Sequence, residues 1–177
     1  RCAAGSAWEW DGVRFEFLHP PRAHDAAQRN DLSCVLRIAS AGASILLTGD
    51  IERAGEASLL RNYADRLKAE VLLVPHHGSR TSSSDEFIAA VAPRWAVVPA
   101  GYRNRFGHPA REVLERYAKA GALVLRTDRD GAVSNAYRVG LCPTMALALP
   151  GGILDDAVIG TDSFSGEALD AELERLI

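Results

Sequence analysis

The stretch Val71-Leu72-Leu73-Val74-Pro75-His76-His77-Gly78-Ser79 runs from four consecutive apolar residues directly into two histidines. A fully apolar run this short reads as a strand buried on both faces of a parallel sheet, and Pro75 ends it. Adjacent histidines at a strand exit point in different directions, so one can enter a metal site while the other faces a substrate or locks a loop. Gly78 and the hydroxyls of Ser79, Thr81 and Ser82 follow closely, a composition that core packing explains poorly.

On the N-terminal side, Val13–Leu18 reads as a strand stopped by His19-Pro20-Pro21. Ser33–Ser40 and Ser44–Thr48 form a hairpin around Ala41-Gly42-Ala43. Glu52–Lys68 places Leu59, Leu60, Tyr63 and Leu67 on one helical face. On the C-terminal side, Ser83-Ser84-Asp85-Glu86 has the form of a capping box that opens a helix bearing Phe87, Ile88 and Val91. Trp95–Val98 is a second buried strand, and Pro109 begins a helix with Val113, Leu114 and Tyr117 inward and Gly121 at its end. Leu123–Arg126 and Ala132–Val139 read as two more strands around a turn at Thr127–Gly131. Strands alternating with helices predict an α/β layered domain whose chemistry sits on loops at strand ends.

The chain has 177 residues, 47% hydrophobic and 24% charged, with a mean hydropathy of -0.05. This balance excludes disordered, collagen-like and coiled-coil classes and suits one soluble domain. The most apolar stretch, Leu141–Leu154, is too short and too broken by proline and glycine to span a membrane. Net charge is -3, but residues 140–177 carry seven acids against Arg175, whereas residues 1–139 carry 19 bases against 16 acids. The expected division is therefore a domain at 1–139 and an acidic tail at 140–177, with a short amphipathic helix carrying Leu169, Leu173 and Leu176. Between Arg94 and Lys119, six bases face only Glu112 and Glu115, a candidate anion-facing surface.

Two further strand exits carry candidate ligands. Leu46-Leu47-Thr48-Gly49-Asp50 puts a carboxylate at a tight turn, where it can serve a metal or simply cap the following helix. Gly101-Tyr102-Arg103-Asn104-Arg105-Phe106-Gly107-His108-Pro109 sets a histidine before a helix, either as a cap or as a metal ligand beside guanidinium groups suited to phosphate. One carboxylate and three imidazoles suit Zn or Mn. His19 and His24, in a proline-rich loop, read as surface residues. Cys2, Cys34 and Cys142, odd in number and far apart, read as three structural thiols.

Several motifs in order resemble the metallo-β-lactamase-like domain at the C-terminal end of ComEC-type competence proteins. They are Asn30-Asp31-Leu32-Ser33-Cys34-Val35-Leu36, Leu46–Glu52 with Glu56, Val74–Ser79 with Thr81 and Ser82, Asn104–Pro109, Arg126-Thr127-Asp128 and Gly131-Ala132. The lead-in with Cys2, Gly5, Trp8, Trp10, Asp11-Gly12-Val13 and His19-Pro20 is similar too. The resemblance covers residues 2 to about 138. It implies an αββα sandwich in which Asp50 bridges two divalent ions, Zn or Mn, and His108 is a terminal ligand. It also implies that His76 or His77 is the general acid of phosphodiester hydrolysis. In that family the activity is degradation of the non-transported DNA strand during uptake through the inner membrane.

The superfamily's main metal motif, His-x-(His/Asp)-x-Asp-His, is absent from these 177 residues. With no Met at the start, the chain reads as beginning inside a longer gene product, after that motif, and as holding the C-terminal half of the fold. The expectation is therefore a nuclease segment that alone binds metal weakly or not at all and hydrolyses nothing. In the intact protein, Ser79, Thr81, Ser82, Arg103, Asn104 and Arg105 are its substrate-side residues, and single-stranded DNA and a membrane channel domain are its partners. The alternatives are a module that only docks DNA or the channel, and a metallo-hydrolase of another ester or phosphodiester.

Overall fold

A computed structural model of the chain describes residues 2–21, 30–101 and 104–128, and the backbone of 144–149 and 153–159. The chain divides into two compact units, Arg1–Arg126 and Thr127–Ile177. The expected boundary at 139/140, the strand at Ala132–Val139 and the tail helix lie outside the described residues.

Seven strands of the first unit pair in chain order: β1 (Ala7–Trp10), β2 (Val13–His19), β3 (Val35–Ala39), β4 (Ser44–Leu47), β5 (Val71–Leu73), β6 (Trp95–Val98) and β7 (Leu123–Arg126). β1 to β4 form an antiparallel meander, and β4 to β7 are parallel. Helices α1 (Arg53–Tyr63), α2 (Asp85–Val91) and α3 (Arg111–Lys119) make the crossovers. Because β2 is antiparallel to β3 and β3 to β4, β2 runs in the same direction as β4, β5 and β6. Their four C-terminal ends therefore open on one rim of the sheet, which is where an α/β sheet presents its chemistry.

The helices cover one face. Leu18, Val35, Leu46, Leu72, Ala96 and Val98 are buried there with Leu59 of α1, Phe87, Ile88 and Val91 of α2, and Val113 and Tyr117 of α3. The opposite face is apolar across all seven strands, because residues paired in register share a face. It carries Trp8 and Trp10, Phe15 and Phe17, Leu36 and Ile38, Ile45 and Leu47, Val71 and Leu73, Trp95 and Val97, and Leu123 and Leu125. None of these side chains is buried; Trp10 is 68% and Leu123 52% exposed. An apolar patch spanning a whole sheet marks a surface made to be covered. This α/β arrangement, one sheet with its helices on one side and on the other an apolar face that is half-buried at its centre and exposed at its edges, is that of one half of an αββα sandwich.

Several local expectations are corrected. The Glu52–Lys68 helix ends at Tyr63 and continues as a 3₁₀ turn over Ala64–Arg66. The α2 cap is Ser84, whose Oγ accepts from Phe87 N, and not Ser83. Cys2 and Cys34 are not thiols: they form a disulfide that ties the segment before β1 to the start of β3, with Cα atoms 5.9 Å apart. His19 is not a surface residue but is 3% exposed, its Nδ1 bonded to Ser33 O at 3.1 Å; His24 lies outside the described residues. The expected acidic tail contains an antiparallel pair, β8 (Thr144–Leu149) and β9 (Ile153–Ile159), for which no strands were expected. Among the described residues, no helix is long and apolar enough to cross a membrane.

Candidate active site

Asp50 leaves β4 on a tightly built turn. Thr48 is buried, and its Oγ1 donates to Leu73 O at 2.6 Å, tying the exit of β4 to that of β5. Gly49 has φ +56, and a Cβ there would lie 3.0 Å from Ser33 Cβ, so a side chain at this turn would be both strained and crowded. Asp50 N donates to Ser33 Oγ at 3.1 Å. Its carboxylate does not cap α1. Asp31 supplies the acceptor for that end, Oδ1 receiving Glu52 N at 3.1 Å and Gly55 N at 2.9 Å. Asp50 is left free to face the rim.

The β5 exit holds two consecutive non-glycine residues in left-handed conformation, His76 (φ 48) and His77 (φ 55), followed by Gly78 (φ 80). Each of the two costs about 1–2 kcal/mol, so the surroundings must hold them. His76 N donates to Gly49 O at 3.0 Å, Ser82 Oγ donates to Pro75 O at 2.9 Å, and Ala110 N donates to Gly78 O at 2.9 Å. Behind them, fully buried Glu56 accepts the N–H groups of Ser83 and, at 2.9 Å, Ser84. Tyr117 OH donates to Ser83 Oγ at 3.0 Å, and burial pushes the Tyr117 phenol well above its ordinary range.

This backbone turns the two imidazoles apart, with ring centroids 6.3 Å apart and planes at 63°. His77 Nδ1 lies 2.7 Å from Pro99 O and its Nε2 3.4 Å from Asp50 Oδ1. A carbonyl only accepts, so Nδ1 carries the proton, and in the neutral ring the Nε2 lone pair faces the carboxylate. Two acceptors that close require a proton or a cation beside them. Carbonyl support of Nδ1 is also how metal-binding imidazoles are oriented. His76 turns to Glu52, with Nδ1 at 3.3 Å from Oε1, and to Thr81 Oγ1 at 3.4 Å; Asn30 Nδ2 holds the same Glu52 oxygen at 3.0 Å.

His108 approaches from the β6 exit, its ring centroid 5.8 Å from that of His76. It does not cap α3, whose N-cap is Ala110. Burial first, then the charges of His76 and His77, hold its pKa below the ordinary histidine value, with Asp50 opposing. The neutral, lone-pair-bearing ring is favoured. The two loops are geared together: a Cβ at Gly78 would lie 2.6 Å from Pro109 Cβ.

The remaining expected site residues divide. Asn104 donates to Gly101 O (3.1 Å) and His108 O (2.6 Å) and accepts from His108 N (3.0 Å), so both ends of its amide hold the loop rather than a substrate. Ser82 is fully buried and committed to Pro75 O and Ser79 O. Ser79 Oγ bonds Thr81 Oγ1 at 3.0 Å, and Thr81 reaches His76, so these two support the imidazole. Arg105 is exposed over the Phe106 ring; Arg103 lies outside the described residues. Sequence reasoning missed Glu52 and Asn30 as partners of His76, and His19 at the same rim. Glu52 lies two positions after Asp50, which was the available signal.

Among the described residues, no three His, Cys, Asp or Glu side chains group closely enough to hold a metal ion. The Asp50–His77 pair, with His108 nearby, has the donor chemistry of a metal site but does not complete one.

No family model matches the chain. It is 45% identical over 133 residues to "Competence protein ComA" of Neisseria gonorrhoeae, covering 75% of this chain and 19% of that protein. It is 41% identical over 134 residues to "ComE operon protein 3" of Bacillus subtilis, covering 76% of this chain and 17% of that protein. The chain thus spans under a fifth of the length of these curated relatives. A solved zinc-dependent hydrolase of the metallo-β-lactamase superfamily from Thermotoga maritima is similar over 57% of this chain and 48% of its own, at 16% identity and a TM-score of 0.33. That likeness is too distant to bear on activity. Identity above 40% across three quarters of the chain makes it a homologue of one segment of the ComEC-type competence proteins.

Proposed function

We propose that this chain supplies one side of the active centre of a metal-dependent phosphodiesterase, a nuclease acting on single-stranded DNA during uptake in natural transformation. The observation that carries the reading is the split between the neighbouring histidines, one backed by a carbonyl and facing Asp50, the other backed by Glu52. Asp50, His77 and His108 are the donors for Zn or Mn; a bound divalent ion supplies Lewis acidity toward phosphoryl oxygens. His76, steadied through Nδ1 by Glu52, presents Nε2–H to the leaving alcohol oxygen and gives it that proton as a water oxygen bonds to phosphorus and the ester P–O bond breaks. Arg105, with Arg103, meets the phosphate charge.

The apolar sheet face opposite the helices, and a donor set that is partial among the described residues, support a second layer from the rest of a longer protein. That protein sits in the inner membrane, with a channel domain. Taken alone, these 177 residues bind divalent metal weakly or not at all and do not hydrolyse DNA.

The test is Asp50→Ala and His108→Ala in the full-length protein, measuring DNA hydrolysis and transformation. Both activities fall if the site is catalytic. If both persist, the segment is a docking module for DNA or the channel. Comparing single-stranded DNA with a generic phosphodiester separates a nuclease from a hydrolase of another ester.

A further inference from the structure

Phe106 is 67% exposed on the loop between β6 and α3, an apolar ring among Asn104, Arg105 and Gly107. It is not left there by a slack turn, because Asn104 bonds His108 through both its amide nitrogen and its amide oxygen and so closes residues 104–108 around the ring. The ring lies nearly parallel to His108, with centroids 5.9 Å apart and planes at 17°, and the Arg105 guanidinium sits 4.9 Å from its centroid. An exposed aromatic ring is thus fixed one ring away from the imidazoles of the rim, under a cation.

We propose that Phe106 is a stacking platform for one unpaired nucleobase of the substrate, with Arg105 resting on the ring until the base takes its place and then moving to the adjacent phosphate. This rests on the phosphodiesterase reading above and deepens it by naming what the site reads. A polymer that offers π-faces and negative charge together is a nucleic acid, and the ring is paired with a cation, Arg105, that can meet that charge. A solvent-exposed cation–π contact is weaker than base–aromatic stacking, so the exchange favours the base. In a duplex both faces of each base are already stacked, so only a single strand can use the platform. Every base has a π-face, so the selection is for strandedness and not for sequence.

The test uses the full-length protein, without divalent metal for binding and with it for turnover. The probes are a single-stranded oligonucleotide carrying 2-aminopurine, the same strand with an abasic site, and its duplex. Wild type binds the intact strand more tightly than the abasic strand and quenches the 2-aminopurine. Phe106→Ala weakens binding of the intact strand about tenfold and raises KM while kcat holds within about twofold. It leaves abasic binding unchanged, and Phe106→Trp restores both affinity and quenching. If wild type cleaves DNA but Phe106→Ala binds the intact strand as tightly, the platform is wrong and the nuclease reading stands. If Phe106→Ala loses abasic and intact binding alike, Phe106 only supports the loop and the platform is again wrong. If wild type neither binds nor cleaves single-stranded DNA, both readings fall.

Discussion

His77 spans two elements: its Nδ1 lies 2.7 Å from Pro99 O after β6, and its Nε2 3.4 Å from Asp50 Oδ1 after β4. Its neighbour His76 touches neither partner and meets Glu52 instead. Substituting them in the full-length protein should give different defects. His77→Ala should weaken metal dependence, moving the Zn or Mn activation midpoint at least about tenfold. His76→Ala should leave that midpoint near wild type and lower kcat by about 10²–10⁴. Metal titrations of activity decide this, and a shared metal defect would overturn the division of roles.

Glu52 acts only through His76. Glu52→Gln keeps the size and one acceptor but loses the carboxylate, and should lower kcat about 10–100-fold with little change in KM. A kcat equal to that of wild type would show that the 3.3 Å contact has no bearing on turnover.

Removing the Glu56 carboxylate strands two backbone donors in the interior. Glu56→Ala should cost about 2–5 kcal/mol in urea unfolding, and Glu56→Gln less, since one acceptor oxygen survives. A Glu56→Ala midpoint equal to wild type would mean that water replaces the carboxylate at the N–H groups of buried Ser83 and half-buried Ser84.

The Cys2–Cys34 bridge closes 32 positions of chain. On loop-closure grounds its reduction should lower stability by roughly 3–4 kcal/mol. Denaturation with and without reductant measures this, with the Cys2→Ser, Cys34→Ser double variant insensitive to reductant. Equal midpoints in wild type would argue against the bridge.

His108 gives the pH dependence its sign. Its pKa lies below the ordinary value of about 6.5, so between the two values the unfolded chain binds more protons than the folded one. The stability contributed by the neutral ring is present above about pH 6.5 and is lost as pH falls through the lowered value. From about pH 7.5 to 5, the denaturation midpoint of wild type should fall further than that of His108→Asn. Parallel falls would contradict the shift.

Much of this was legible in the sequence because strand and helix periodicity is local. Val71–Leu73, Trp95–Val98 and Leu123–Arg126 are found where apolar runs put them, and the rim residues sit at their exits. β1 gave no legible signal, since the alternation of Trp8 and Trp10 with Ala7 and Glu9 runs over only four residues, too few for a period to stand out. The disulfide was illegible for another reason, as partners 32 positions apart meet only through the β2–β3 pairing. The roles of His76 and His77 depend on left-handed backbone at two non-glycine residues, which no propensity favours. Asn104 and Ser82 looked like substrate groups because a polar side chain in a loop carries no mark of whether its hydrogen bonds point inward.

The uncovered sheet face and the rim share the same two strands. Leu47 and Leu73 face away from the helices, three and four residues ahead of Asp50 and His77, and Thr48 Oγ1 already clasps Leu73 O between them. A layer seated on those leucines would bear on the same two strands that aim Asp50 and His77, so the packing of that face and the geometry of the rim are coupled through β4 and β5.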